Sequence, residues 1–159
     1  MTHRGLLLLA ALAAPLLLAL PAIAVDIEET PAQSLADPDY VAGKKAVEAE
    51  DWPRAIERLN KAALHDDNNA DNHNLLGFAY RHAGDFERAF LHYHRALSLN
   101  PRHRGAHEYI GVAYLLQNNL AKAEEHLAAL KQICVIPCEE YEDLEAEIAR
   151  YRAQHAGRG

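Results

Sequence analysis

ADNHNLLGFAYRHAGDFERAFLHYHRALSLNPRH, residues 70–103, is the stretch that decides the fold. Its Gly77 has counterparts 34 residues away on both sides, at Gly43 and Gly111. Its Ala89 has the same, at Ala55 and Ala123. Two residue types keeping one step define a repeat, and a step of this length belongs to helical hairpins stacked side by side. Three units follow without an insertion: 36–69, 70–103 and 104–137.

The physics of a hairpin accounts for the pattern. Gly and Ala fit where two helices cross closely, while Tyr80, Tyr93, Tyr114 and Leu127 are large enough to fill the space between hairpins. Asp51, Asp85 and Asn119 stand where helix caps are needed. Pro53 falls in a first helical turn, where its missing N–H does no harm. Asn100-Pro101 closes the second hairpin, because the residue before proline disfavours helix. The expected helices are 38–49, 53–65, 70–82, 86–98, 104–117, 120–133 and 138–152. The last carries Tyr141, Leu144, Ile148 and Tyr151 at helical spacing, so 138–152 reads as a capping helix over the open end of the stack. Residues 153–159 read as a disordered tail.

Leu76-Gly77, Tyr80, Ala89, Tyr93, Ala96 and Pro101 resemble the tetratricopeptide repeat (TPR) pattern at matching offsets. Ile110-Gly111, Tyr114, Ala123, Leu127 and Leu130 repeat it; Ala42-Gly43, Ala46, Ala55, Leu59 and Ala62 give a looser first copy. The resemblance implies an all-α fold, an α-solenoid of three TPR hairpins plus a C-terminal capping helix. It also implies a module that holds a protein or peptide in a concave groove lined by the first helix of each hairpin. The family's inner positions fall on Tyr40, Lys44 and Val47, then Asn74, Phe78, Arg81 and His82, then Glu108, Val112 and Leu115. Phe78 and Tyr40 are the expected anchors, with Arg81 available to a carboxylate through two parallel hydrogen bonds. For Phe78, Val112 and Leu115 the alternative is packing between hairpins. Lys44, Asn74 and Arg81 resemble part of the basic set with which TPR proteins clamp acidic chaperone tails, and Glu108 and Val112 break that set.

Residues 1–24 do not follow the repeat. Arg4 precedes a Leu/Ala run over 6–20, interrupted by Pro15, and Ala22-Ile23-Ala24 offers small residues for a peptidase. This reads as a secretory signal cleaved after Ala24; a retained anchor is the alternative, for which the apolar run is short of the ~20 residues a spanning helix needs. Residues 25–37 read as a flexible acidic leader. The expected location is the bacterial periplasm or the exterior, with no membrane attachment after cleavage. Ile133-Cys134 to Cys138-Glu139-Glu140-Tyr141 also resembles the tail of small exported proteobacterial TPR proteins.

Cys134 and Cys138 are the only cysteines. In an exported chain they suggest a disulfide across the break made by Pro137; a free buried pair and a metal or redox site are the alternatives. The ten histidines read chiefly as surface groups, and a pH-responsive surface is one use for them. His103 and His107 are the candidates for a metal pair, and His92 and His126 share a repeat position that would make them neighbours. The alternative function is accordingly periplasmic Zn or Cu handling through surface histidines. The formal net charge of −7 argues against nucleic acid as a partner. No phosphate loop, Gly-x-Ser-x-Gly or His-Glu-x-x-His is present, so neither enzyme activity nor a cofactor is expected. Three hairpins leave room for a homodimer through an end or through the groove.

Overall fold

The computed structural model describes residues 37–156. The expected signal segment 1–24, residues 25–36 of the expected leader, and residues 157–159 lie outside the described residues. Seven helices and no strand make up the described residues: α1 Pro38–Glu48, α2 Trp52–His65, α3 Ala70–His82, α4 Phe86–Leu99, α5 Arg104–Leu116, α6 Leu120–Ile133 and α7 Glu139–His155. None of them is long and apolar enough to cross a membrane. They pair as hairpins α1–α2, α3–α4 and α5–α6, with α7 packed on α5 and α6.

Local chemistry repeats with the hairpin. Each turn between paired helices holds one residue in the left-handed region: Glu50 (φ 55°), Gly84 (φ 81°) and Asn118 (φ 59°). Glycine and asparagine take that conformation readily, whereas glutamate is strained there. The next residue caps the following helix in every case. Asp51, Asp85 and Asn119 accept from the N–H of Arg54, Arg88 and Lys122 at 3.3, 3.0 and 3.2 Å.

Two expected boundaries shift. Asp37, placed in the leader, belongs to the fold: its Oδ1 accepts from the N–H groups of Asp39 and Tyr40 at 2.8 and 3.0 Å and so caps α1. Residues 153–155, expected in the tail, are helical, because α7 runs to His155. There the His155 ring stacks on Tyr151 at 4.1 Å, and its Nδ1 donates to the Tyr151 carbonyl at 2.8 Å.

The alanines of the repeat, Ala55, Ala89 and Ala123, are fully buried, as are Leu76, Ile110 and Leu144. Leu144 of α7 stands 34 residues after Ile110, so α7 occupies the register of a fourth leading helix. The glycines lie where a side chain cannot. A Cβ at Gly43 would come within 2.6 Å of Leu59, and one at Gly77 within 2.5 Å of Tyr93, each on the second helix of its own hairpin. At Gly111 the neighbour is different: Leu144 of α7, at 2.7 Å. Cys134 and Cys138 are joined by a disulfide with Cα atoms 5.9 Å apart, across the link from α6 to α7.

Candidate binding groove

The leading helices α1, α3 and α5 carry the inner positions, and α3 is their centre. Phe78 is half-buried in an aromatic cluster built from three hairpin elements. Its ring lies 5.9 Å from Trp52 of α2, 4.4 Å from His82 and 4.8 Å from Tyr109 of α5. Arg81 sits 5.0 Å over the same ring, and its guanidinium donates to Nε2 of His82 at 3.1 Å. A cation held against an aromatic face in this way is favourable and remains open to a ligand. His82 also stacks on Trp52 at 4.4 Å. Burial first, then the Arg81 charge, hold its imidazole below the ordinary range.

Beside this cluster are buried polar atoms without a hydrogen-bond partner in the protein: Asn74 Oδ1, Arg81 Nε and the Tyr93 hydroxyl. Asn74 is 7% exposed and Tyr93 fully buried. Buried phenols and amides are ordinarily satisfied; the Tyr93 hydroxyl and the Arg81 guanidinium lie within reach of each other, which leaves Asn74 Oδ1 as the group that calls for a ligand or water. Burial pushes the Tyr93 phenol up strongly, with the Arg81 guanidinium acting in the opposite sense. Glu108 of α5 faces the same region. Burial, then the carboxylates of Asp143 and Glu140 on α7, raise it to about 7, against the pull of Arg81. At neutral pH this group therefore holds a proton far more often than an ordinary carboxylate does.

The other inner residues divide. Tyr40 and Val47 are half-buried and Lys44 is exposed on α1. Leu115 is 7% exposed and belongs to the core with Leu130, Leu144 and Ile148, with Val112 packed against it. Both face α7, and with Glu147, Arg150 and Tyr151 they line a cleft separate from the Phe78 cluster. Phe78 does both jobs, packing between hairpins while Arg81 caps its face. Sequence reasoning missed Trp52, Tyr109 and the orphan hydroxyl of Tyr93. Tyr109 was detectable as the neighbour of Glu108 on a leading helix; the state of the Tyr93 hydroxyl had no signal in the sequence.

The histidines do not form the expected sets. His103 caps α5, its Nδ1 accepting from the Ala106 N–H at 3.1 Å, and its Nε2 meets Asp71 at 3.0 Å. His107 uses Nε2 on the Pro101 carbonyl at 3.1 Å and Nδ1 on Nδ1 of His126 at 2.9 Å. Every ring nitrogen of His103 and His107 thus has another partner, and they do not converge as ligands. Nor do His92 and His126 pair with each other: His92 meets His73 of its own hairpin, Nδ1 to Nδ1, at 3.1 Å. Among the described residues one group of three metal-type ligands lies together, Asp37, Asp39 and His65. Its members are already engaged, with Asp37 against His65 at 2.6 Å and Asp39 against Arg58 at 3.0 Å.

Comparison with known proteins agrees with this architecture. Residues 70–103 match the family model of the tetratricopeptide repeat. Similar solved structures include the TPR2B domain of yeast Sti1 in a pHsp70 complex: 18% identical, TM-score 0.69, covering 75% of this chain and 97% of that one. The first TPR domain of human RPAP3 is 19% identical, TM-score 0.65, covering 76% and 94%. The Yersinia enterocolitica type III secretion chaperone SycD, in complex with a peptide of the translocator YopD, is 13% identical. Its TM-score is 0.65, over 79% of this chain and 95% of that one. The described part of the chain has the fold of a TPR-type α-solenoid. No curated protein matches the sequence.

Proposed function

We propose that the protein is an interaction module that holds an extended segment of a partner protein along α3, with Phe78 and Arg81 as the anchors. The observation that carries this reading is the unsatisfied Asn74 Oδ1 beside an aromatic cluster whose face is capped by Arg81. An extended peptide offers one N–H and one carbonyl per residue. Asn74 Oδ1 is suited to accept the first, and the Arg81 guanidinium to donate to the second. The Phe78 cluster supplies an apolar seat for a side chain of the same segment. The peptide and protein complexes formed by Sti1 and SycD support the same use of the fold.

The compartment belongs to this proposal. Residues 1–24 have the pattern of an export signal, and a disulfide between Cys134 and Cys138 is suited to an oxidising compartment. The role is then that of an adaptor or assembly factor in the bacterial envelope, rather than a chemical one. The test is capture from envelope extract with wild type and the Phe78→Ala/Arg81→Ala double variant side by side. Wild type is expected to retain a partner that the variant loses at least tenfold. Equal retention by a folded variant contradicts the groove reading.

A further inference from the structure

One slot in each hairpin, facing from the leading helix to the second, changes its chemistry along the chain. In the first hairpin it holds an ion pair, Asp39 with Arg58 at 3.0 Å. Thirty-four residues on, the same two positions are His73 and His92, and after another step they are His107 and His126. Their Nδ1 atoms are 3.1 and 2.9 Å apart. The surroundings are duplicated as well. Nε2 of His73 meets the Asp67 carbonyl at 3.0 Å, and Nε2 of His107 meets the Pro101 carbonyl at 3.1 Å. Tyr80 stacks on His92 at 5.4 Å and Tyr114 on His126 at 5.7 Å.

The tautomers follow from these contacts. A carbonyl only accepts, so Nε2 of His73 and of His107 carries the hydrogen. Their Nδ1 atoms are then bare in the neutral ring and accept from Nδ1–H of His92 and His126. One added proton per pair keeps an N–H···N bond, now charge-assisted. A second puts hydrogen on both facing nitrogens and two like charges in a half-buried site, which forces the rings apart.

We propose that the two histidine pairs are an acid-released latch, which loosens the second and third hairpins below neutral pH while the Asp39–Arg58 pair keeps the first one shut. Burial holds His92 and His126 at about 4, with the charge of the partner histidine as the next cause. Folded-state values depressed below the ordinary 6.5 mean that the unfolded chain binds more protons between about 4 and 6.5. Stability is therefore intact above that window and falls as pH drops through it.

The charges around each pair are these. Asp67, from the α2–α3 loop, lies 3.3 Å from His73 and is shared with Arg95. It favours charge on His92, while Arg88 of α4 opposes it. Around the second pair, His103 opposes charge on His107, and His94 of α4 and Lys122 oppose it on His126, with Glu125 in favour. Arg152 of α7 reaches α6 at Glu124. Among the described residues only the pair in the second hairpin has a carboxylate in contact, so the third hairpin releases first. Glu108, raised to about 7, titrates in the same window with the opposite sign. The latch is therefore read as a difference from a variant that keeps Glu108.

The test has two arms. In the first, the imidazoles of the intact protein are titrated by NMR. His92 and His126 are expected to carry hydrogen on Nδ1 at pH 7.5 and to remain neutral at pH 5.5; titration of both near 6.5 overturns the proposal. In the second arm the slots receive the chemistry of the first hairpin, through His73→Asp, His92→Arg, His107→Asp and His126→Arg together. Between pH 7 and pH 5 the thermal midpoint of wild type is expected to fall about 10 °C more than that of the variant. Amide exchange should quicken in α3–α6 before α1–α2. Parallel midpoints overturn the proposal. If the fourfold variant does not fold, His92→Gln/His126→Gln takes its place with the same two outcomes.

Discussion

The second and third hairpins share a step, a glycine and a pair of histidines, yet they are completed differently. In the second, Gly77 receives the ring of Tyr93, and hairpin α3–α4 closes on itself. In the third, Gly111 receives Leu144 from α7, while Leu127, which stands where Tyr93 does, is only half-buried. Residue type alone does not decide this, because Leu59 fills the same place against Gly43 in the first hairpin; in the third, Leu144 of α7 takes it instead. The third hairpin therefore depends on the helix that follows it, and α7 is a structural member of the third unit as well as a lid. The same dependence reaches the groove: α7 packs on Val112 and Leu115 and brings Asp143 and Glu140 toward Glu108.

Four single substitutions sharpen this contrast. The largest effect is expected at Leu144, which is fully buried against Gly111. Leu144→Ala should destabilise by about 3 kcal/mol in chemical denaturation. Leu127→Ala should cost less than half of that, and equal losses would remove the distinction between the hairpins. Next is Gly77→Ala, whose methyl would lie 2.5 Å from the Tyr93 ring. Overpacking of this kind costs about 2 kcal/mol, and Gly77→Ala should cost less than that in a Tyr93→Ala background. The smallest effect is expected from Glu108→Gln. The folded-state value of Glu108 lies above its ordinary 4.5, so its contribution is present at low pH and lost as pH rises through about 7. The variant should gain roughly 1 kcal/mol at pH 8, after allowance for the group's partial exposure, and nothing at pH 5. A gain that does not depend on pH would remove the carboxylates of α7 as its cause.

The parts legible in the sequence are those where the backbone forces the residue type. Gly43 and Gly77 are fixed by a helix crossing that admits no side chain, so their step announces the hairpins. Asp51, Asp85 and Asn119 are fixed by unpaired N–H groups at helix starts. Groove residues were legible only as positions. Whether Leu115 lines a groove depends on where α7 lies, which no local pattern reveals. The histidine pairing was missed for a similar reason. His92 and His126 share a row along the stack, but the contact that forms is across one hairpin, between positions 19 apart. That offset also joins Asp39 to Arg58, so it could have been found by aligning the units in pairs of helices.

The claim on which the functional reading rests is that a partner lies along α3, against Phe78 and Arg81. Amide hydrogen exchange of the protein with its captured partner tests this directly. The account predicts slowed exchange in α3 and the facing parts of α1 and α5, and unchanged exchange in α4 and α6. Slowing confined to the exposed Val135 and Ile136 of the disulfide loop, or to α4 around the exposed Leu91, would contradict it.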